Sequence, residues 1–186
     1  MSAISTTATK LKDVLVLEPR VFGDARGYFF ESWNARGFRE ATGLDVAFVQ
    51  DNESRSRRSV LRGLHYQVEQ AQGKLVRVTR GRVFDVCVDL RRASPTFGQW
   101  DGIELSEDNR RQMWVPAGLA HGYLVLSESA DVLYKTTDFY APAHERTILW
   151  SDADLRIAWP LEDGRAPIVS AKDAAGVPFS RASLFE

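Results

Sequence analysis

The sequence predicts an all-β domain, either a barrel or a sandwich, because short strand-like runs recur along it. The runs are rich in valine, leucine and aromatic residues, and Gly, Pro, Asp and Ser separate them. The clearest run, residues 82–90, alternates between two faces, as a strand does when one face packs on a core. One helical signal precedes the C-terminal region: Asn34 can cap a short helix that reaches Thr42 and ends at Gly43.

The predicted strands follow each other closely along the chain. They are expected at residues 14–19, 28–33, 75–79, 82–90, 103–105, 112–115, 122–126, 132–136 and 147–150. A glycine-rich turn at residues 23–27 precedes the second of these strands. The dipeptide Arg80-Gly81 separates two long strand-like runs, and this spacing predicts a two-residue hairpin turn.

Length and composition favour a single domain. The chain has 186 residues and contains no repeat, low-complexity tract or linker. We therefore expect one domain over residues 11–186, preceded by a disordered or loosely held polar leader over residues 1–10. The single cysteine, Cys87, lies within a valine-rich run, which indicates a buried structural thiol rather than a nucleophile.

Charge and hydropathy argue against two classes of partner. Lys and Arg total 24 against 25 Asp and Glu, so the formal charge of -1 gives no general attraction to nucleic acid or to an anionic membrane. The arginine-rich stretch at residues 54–59 has no interleaved aromatic residues, and we interpret it as a solvated loop. No apolar stretch approaches the roughly 18 residues of a membrane span, and the first ten residues lack an apolar signal core. We expect a cytoplasmic protein with no nucleic-acid or membrane partner.

Two histidines stand at the ends of strand-like segments. His121 closes Pro116-Ala117-Gly118-Leu119-Ala120-His121, the P-x-G-x-x-H form by which cupin barrels place a histidine on an inner strand. The His-x-His of the usual cupin metal site is absent, because residues 65–67 read His-Tyr-Gln. The sequence therefore predicts a barrel of cupin type without a metal.

A series of motifs resembles the dTDP-4-dehydrorhamnose 3,5-epimerase family, in register from about Leu11 to the end of the chain. The motifs are Arg26-Gly27, Phe48-Val49-Gln50-Asp51-Asn52, residues 60–67, Gln72-Gly73-Lys74-Leu75-Val76, Ser94-Pro95-Thr96-Phe97-Gly98, Gly118-Leu119-Ala120-His121-Gly122 and Ser170-Ala171-Lys172-Asp173. The resemblance implies a double-stranded β-helix, that is, a cupin or jelly-roll barrel with a few short helices. It also implies a homodimer, no metal or other cofactor, and dTDP-4-dehydro-6-deoxy-D-glucose as substrate. In that sugar C3 and C5 both lie beside the C4 ketone, so one base can remove a proton from either carbon.

The chemistry of such an epimerase requires a base, an acid and a group that stabilises an enolate. Imidazole, with an ordinary pKa of about 6.5, suits the base, and we assign it to His65. The resemblance implies that Asp173 pairs with this imidazole and stabilises its protonated form. Lys74 is suited to stabilise the negative charge on O4, although its connection to His65 is one residue shorter than is common in the family. Tyr134 is assigned as the acid, and its presence favours inversion at both carbons.

The resemblance also implies a set of binding residues. Phosphate and sugar contacts are expected from Arg26, Arg62 and Lys172. Further polar contacts are expected from Glu31, Gln50, Asn52, His121 and Glu145. Part of the nucleotide site is expected from the neighbouring subunit, through the segment that holds Phe22, Arg26, Phe29 and Glu31.

Three alternatives remain open on the sequence alone. The first is a 3-epimerase or ketoisomerase that acts on a related dTDP-4-keto-deoxysugar, since the base and the barrel would be the same. The second is a metal-dependent cupin oxygenase, which the P-x-G-x-x-H motif at His121 suggests. The third is a sugar-nucleotide binding module without catalysis, which would keep its ligand after His65 is replaced.

Overall fold

The computed structural model of the chain describes residues 4–162 and 165–186. The strands are β1 (Ile4–Ala8), β2 (Leu15–Pro19), β3 (Phe22–Asp24), β4 (Gly27–Phe29), β5 (Gln50–Arg57), β6 (Leu61–Gln67), β7 (Lys74–Arg80), β8 (Arg82–Asp89), β9 (Trp100–Ser106), β10 (Gln112–Val115), β11 (Leu119–Val125), β12 (Ser129–Thr136) and β13 (Glu145–Thr147). The helical elements are α1 (Ala35–Thr42), α2 (Ala171–Ala174) and short 3₁₀ turns at Pro142–His144 and Phe179–Arg181.

The strands form two antiparallel sheets and a separate hairpin. The larger sheet has the order β1-β2-β10-β7-β12-β5, and the smaller has the order β13-β6-β11-β8-β9. Strands β3 and β4 pair only with each other. Apolar side chains from both sheets meet between them, for example Val76 and Val132 from the larger sheet and Val83 and Cys87 from the smaller. This architecture confirms the predicted all-β barrel of cupin type.

Strand β8 is buried on both faces. Val83 and Cys87 point into the core between the sheets, whereas Val86 and Val88 belong to a second apolar cluster that includes Trp159 from the C-terminal region. The predicted alternation of faces is therefore confirmed, and the C-terminal segment supplies a cover for the outer face. The thiol of Cys87 is fully buried, and burial raises its pKa well above the ordinary value.

Helix α1 begins and ends where its capping residues predict. The side chain of Asn34 accepts a hydrogen bond from the backbone N–H of Gly37 at 3.0 Å, and Gly43 ends the helix with a φ of 74°. Phe38 is buried from this helix against Leu17 and Trp114 of the larger sheet. The predicted helix is confirmed.

The predicted hairpin at Arg80-Gly81 is wrong. Strand β7 pairs with β10 and β12, whereas β8 pairs with β9 and β11, so the dipeptide carries the chain from one sheet to the other. Gly81 has a φ of 74°, and a Cβ there would lie 2.1 Å from the carbonyl oxygen of Ser129. The glycine is required by this corner rather than by a hairpin, and the two kinds of turn carry the same local signal.

The prediction of a loosely held leader is wrong for residues 4–8. This segment forms β1, which pairs over its whole length with β2 at the edge of the larger sheet. Ile4 packs against the cluster that holds Leu17 and Phe38, but the other side chains are exposed, so backbone hydrogen bonds hold most of the strand. Polar sequence alone therefore gave no sign of a strand, and residues 1–3 of the predicted leader lie outside the described residues.

The arginine-rich stretch is also a strand for most of its length, and its interpretation as a solvated loop is wrong there. Strand β5 reaches Arg57 and pairs with β12. Arg55 forms an ion pair with Asp131 on that neighbouring strand, at 2.6 Å. Strand β5 lies at the edge of the larger sheet, where charged side chains are common because they hinder pairing with another chain, and its sequence therefore resembles a loop. A smaller difference concerns residues 147–150, of which only Thr147 belongs to a strand.

Candidate active site

A cavity of about 150 Å³ is lined by side chains from both sheets. Strands β6 and β11 lie side by side at its wall, and His65 is the direct cross-strand partner of His121. Gly63 and Gly122 allow these strands to approach closely, because a Cβ on Gly63 would lie 2.6 Å from the Cα of Gly122. Among the predicted site residues, the cavity is lined by Arg62, His65, Lys74, His121, Tyr134 and Glu145.

His65 and Asp173 form a hydrogen-bonded pair at the cavity. Nε2 of His65 lies 2.5 Å from Oδ1 of Asp173, and the imidazole side chain is 28% exposed whereas the carboxylate is 4% exposed. Asp173 lies in the four-residue helix α2, which Ser170 caps through Asp173 N–H. Burial acts to raise the pKa of Asp173, but the hydrogen bond and charge of His65 outweigh it, so the pKa lies below its ordinary value. The carboxylate therefore remains charged beside the imidazole.

Lys74 places a buried ammonium in the same cavity. The residue is 8% exposed, and Nζ donates to the carbonyl oxygen of His65 at 3.4 Å. Burial lowers the pKa of Lys74 to about 8, while the charges of Glu145 and Asp85 act in the opposite direction. An ammonium held in a water-poor site with only a long hydrogen bond can interact strongly with a negative charge that develops on a ligand.

Tyr134 brings a phenol to the cavity from β12. Burial raises its pKa above the ordinary value, and the nearby Tyr123 and Glu145 add to this effect. The phenol is therefore protonated at neutral pH and can donate a proton. Tyr123 itself is tied to Ser54 by a hydrogen bond of 2.8 Å between the two hydroxyl groups.

A second histidine–aspartate pair lies deeper in the barrel. Nε2 of His121 is 2.8 Å from Oδ1 of Asp85, and the two side chains are 8% and 0% exposed. The other carboxylate oxygen of Asp85 has no hydrogen-bond partner among the described residues. His121 lines the cavity, as expected for a residue that contacts substrate, but its pairing with Asp85 carried no sequence signal.

Glu145 binds two further side chains at the rim of the cavity. Its Oε2 accepts a hydrogen bond from the phenol of Tyr140 at 2.8 Å and forms an ion pair with Lys172. Burial acts to raise the pKa of Glu145, but the hydrogen bonds from Lys172 and Tyr140 outweigh it and lower the pKa. Lys172 is thus joined to the cavity through Glu145. Tyr140 was not predicted, because an isolated tyrosine after a strand has no distinguishing pattern.

The remaining polar residues predicted on β5 and β6 lie close by. Arg62 donates from Nε to the hydroxyl of Ser56 at 3.0 Å and faces the cavity. Gln50 and Asn52 are hydrogen-bonded to each other at 2.9 Å. Asn52 is also the direct cross-strand partner of Tyr134, so it lies beside the proposed acid.

Four predicted residues neither line this cavity nor contact the predicted residues that do. Phe22, Arg26 and Phe29 belong to the β3–β4 hairpin and line a separate groove with Asp24, which pairs with Arg26. The aromatic rings of Phe22 and Phe29 are largely exposed. Glu31 follows the hairpin and accepts hydrogen bonds from Asn34. The chain thus carries Phe22, Arg26 and Phe29 on an exposed hairpin that lines a groove without His65.

The described residues contain no group of three or more His, Cys, Asp and Glu side chains arranged to hold a metal ion. No helix in residues 4–162 and 165–186 is long and apolar enough to cross a membrane. The site instead combines an imidazole–carboxylate pair, an ammonium and a phenol in one cavity. Together they define a cupin-type barrel with a site for proton transfer.

Comparison with known proteins gives this class a family. A family model described as dTDP-4-dehydrorhamnose 3,5-epimerase matches residues 8–181. The dTDP-4-dehydrorhamnose 3,5-epimerase of Pseudomonas aeruginosa is 63% identical over 182 residues, which are 98% of this chain and 99% of the relative. The chain belongs to the dTDP-4-dehydrorhamnose 3,5-epimerase family, and the predicted resemblance is confirmed.

Solved structures agree with this assignment. The crystal structure of a Legionella pneumophila dTDP-6-deoxy-D-glucose-3,5-epimerase in complex with dTDP-4-keto-L-rhamnose matches with a TM-score of 0.93 and 48% identity, over 97% of this chain and 95% of that one. The dTDP-4-dehydrorhamnose 3,5-epimerase of Bacillus anthracis, with TDP and PPi bound, matches with a TM-score of 0.90 and 44% identity, over 95% and 99% of the two chains. The chain is accordingly an isomerase.

Proposed function

We propose that the chain inverts C3 and C5 of dTDP-4-dehydro-6-deoxy-D-glucose and so produces dTDP-4-dehydro-L-rhamnose. The observation that supports this reaction best is the pair of His65 and Asp173, whose imidazole is open to a cavity that also holds Lys74 and Tyr134. Membership of the epimerase family supports the same reaction. The proposal assigns one role to each of these four side chains.

His65 removes the proton. Its Nε2–H donates to the carboxylate of Asp173, which leaves Nδ1 with the lone pair that takes the proton from C3 or C5. The electron pair of the broken C–H bond moves toward the C4 carbonyl and generates an enolate. Asp173 keeps the tautomer in place and stabilises the imidazolium that forms.

Lys74 stabilises the enolate. A proton beside a ketone is too weakly acidic for imidazole to remove unless the charge on O4 is stabilised at the same time. Among the described residues, the buried ammonium donates to the carbonyl oxygen of His65 alone, at 3.4 Å, and this supports the role. We propose that it reorients toward O4 when the sugar binds.

Tyr134 completes the inversion. A new proton must reach the carbon from the face opposite His65, and the raised pKa of the Tyr134 phenol favours its protonated form at neutral pH. Transfer of that proton closes the enolate back to the ketone, and solvent then reprotonates the phenolate while His65 releases its proton. The same sequence repeats at the second carbon.

The binding residues divide between two subunits in this proposal. The chain that holds the cavity contributes the binding residues Arg62, Lys172, Glu145, Gln50, Asn52 and His121. The exposed β3–β4 hairpin supplies Phe22, Arg26 and Phe29, with Glu31 beyond it, to the cavity of a second copy. The exposure of the two rings supports this arrangement. We therefore propose a homodimer, and light scattering at micromolar concentration should give the mass of a dimer. We also propose that the protein works in the cytoplasm.

The reaction is tested by incubating the protein with the 4-keto sugar nucleotide in deuterated water. Both C3 and C5 should acquire deuterium, and the product should have the L-rhamno configuration by NMR. Label at C3 alone would show a 3-epimerase instead. Absence of label at both carbons would rule out the enzymatic proposal, and a bound but unlabelled nucleotide would favour a binding module.

A further inference from the structure

Gln67 is a buried residue of the cavity wall to which the proposed chemistry gives no role. It lies at the end of β6, two residues after His65, and is 4% exposed. It occupies the position at which the usual cupin metal site has its second histidine, as the His-Tyr-Gln sequence showed. A buried amide must have its polar atoms satisfied, so its partners indicate what it does.

All three hydrogen-bonding groups of the Gln67 side chain contact main chain. Nε2 donates to the carbonyl oxygen of Gln70 at 2.7 Å and to that of Phe139 at 3.2 Å. Oε1 accepts from the N–H of Ala141 at 2.9 Å. The amide therefore connects the loop after β6 to the segment after β12, residues 138–141. It is hydrogen-bonded to that segment on both sides of Tyr140.

The segment held in this way has little apolar burial of its own. The rings of Phe139 and Tyr140 are 59% and 53% exposed. Besides Gln67, the segment is held by other side chains: Gln72 donates to the carbonyl oxygen of Asp138 at 2.9 Å, and Gln50 accepts from the N–H of Tyr140 at 3.0 Å. The position of this part of the rim therefore depends on side-chain amides rather than on the core.

The backbone of Gln67 reaches the same rim from the other side. Gln67 is the direct cross-strand partner of Glu145 in the pairing of β6 with β13. The carboxylate of Glu145 in turn accepts a hydrogen bond from the hydroxyl of Tyr140. One residue thus fixes the main chain at both Tyr140 and Glu145, whose side chains meet at the mouth of the cavity.

We propose that Gln67 is a positioning residue that holds Tyr140 and Glu145 in the geometry that binds the substrate, without taking part in proton transfer. This inference rests on the proposed function and deepens it. Loss of the amide should loosen the rim and weaken binding of the sugar nucleotide, whereas the proton-transfer groups keep their own contacts. His65 is held by Asp173, and Lys74 extends from a different strand.

The test is Gln67→Met, which keeps the length of the side chain and removes its three hydrogen bonds. We expect KM for the sugar nucleotide to rise about tenfold and kcat to change less than about twofold, the pattern of an interaction that is equally strong in ground state and transition state. The pH profile of kcat should keep its shape. Gln67→Glu, which keeps an acceptor for Ala141 but places a carboxylate oxygen against two carbonyl groups, should shift KM in the same direction.

A matched control is available in Asn109. This amide also makes three hydrogen bonds to main chain, to Ser106, Arg111 and Glu104, and it does not line the cavity. Asn109→Leu should lower the melting temperature without changing KM. A rise in KM of the same size in both variants would show a general structural effect and overturn the inference.

A double-mutant cycle tests the route through Tyr140. If Gln67 acts by placing this phenol, Gln67→Met and Tyr140→Phe together should raise KM by less than the product of their separate effects. Fully multiplicative effects, or an unchanged KM in Gln67→Met, would overturn the inference. Absence of turnover in the unmodified protein would count against the proposed function instead. Calorimetric binding of dTDP would then decide on Gln67, since equal affinity in unmodified protein and Gln67→Met would refute its role.

Discussion

The two histidine–aspartate pairs use the same chemical groups, yet the barrel gives them different access to the cavity. The imidazole of His65 is 28% exposed and meets a carboxylate from α2, outside the sheets. The imidazole of His121 is 8% exposed and meets Asp85, which is fully buried on β8. The two histidines are nevertheless direct cross-strand neighbours.

This contrast shows that pairing with a carboxylate does not by itself identify a base. A base must also present its free nitrogen to the reacting carbon, and it must be able to exchange its proton with solvent between turnovers. The more open pair satisfies both requirements. The closed pair is better suited to shape the cavity wall and its field, and Asp85 acts electrostatically on Lys74.

The largest expected effect separates the two histidines. His65→Asn should lower kcat by about 10³-fold, because the proton then has no acceptor, while His121→Asn should lower it about tenfold. The measurement is deuterium incorporation at C3 and C5 by NMR under saturating substrate. Comparable losses in the two variants would remove the distinction between the pairs.

The next effect concerns the ammonium of Lys74. Lys74→Met should lower kcat by roughly 10²–10³-fold, because the enolate loses its stabilising charge. The pKa of Lys74 is about 8 in the folded state and 10.5 ordinarily, so the charged lysine destabilises the folded protein. This destabilisation is complete below about pH 8, and it disappears above about pH 10.5. Removing the lysine should therefore raise the free energy of unfolding at pH 7, by up to about 3 kcal/mol for a shift of this size.

Denaturant unfolding at pH 7 measures that gain in stability. The matched control is Lys135→Met on β12, which removes a lysine that is already paired with Asp51 at 3.0 Å. This variant should keep turnover and gain no stability. A Lys74→Met variant that is less stable than the unmodified protein would contradict the assignment of a costly buried charge.

A smaller effect is expected from the two carboxylates. Asp173→Asn should lower kcat by about 10²-fold, because the amide neither stabilises the imidazolium nor selects the same tautomer of His65. Asp85→Asn should lower kcat less, by about tenfold or under, since His121 is not proposed to carry the proton. Steady-state kinetics on both variants compares them, and the reverse order would exchange the roles of the two pairs.

The smallest effect is a shift in pH dependence. The active form of Lys74 is the ammonium, so kcat/KM should fall as pH rises through about 8. Asp85 raises the pKa of Lys74, and Asp85→Asn should therefore move this alkaline limb to lower pH, by about one unit or less. Asp173→Asn should leave the limb in place. A limb that does not move in Asp85→Asn would show that another group sets it.

Local patterns in the sequence determined much of the secondary structure. The caps Asn34 and Gly43 placed helix α1, and the alternation over residues 82–90 placed β8 with its two faces. Capping and alternation involve groups within a few residues of each other, so the sequence alone is enough to predict them. The motifs also indicated His65 and Lys74, and the chemistry of inversion indicated Tyr134. The structure brings all three to one cavity.

Only the tertiary structure decided which strands pair and which polar groups meet. The corner at Gly81 has the same local signal as a hairpin, and β5 and β1 are polar strands that pairing alone reveals. The contact between His121 and Asp85, and the grip of Gln67 on the segment around Tyr140, join residues far apart in the chain. These contacts depend on how two sheets close over each other, and no local preference specifies that closure.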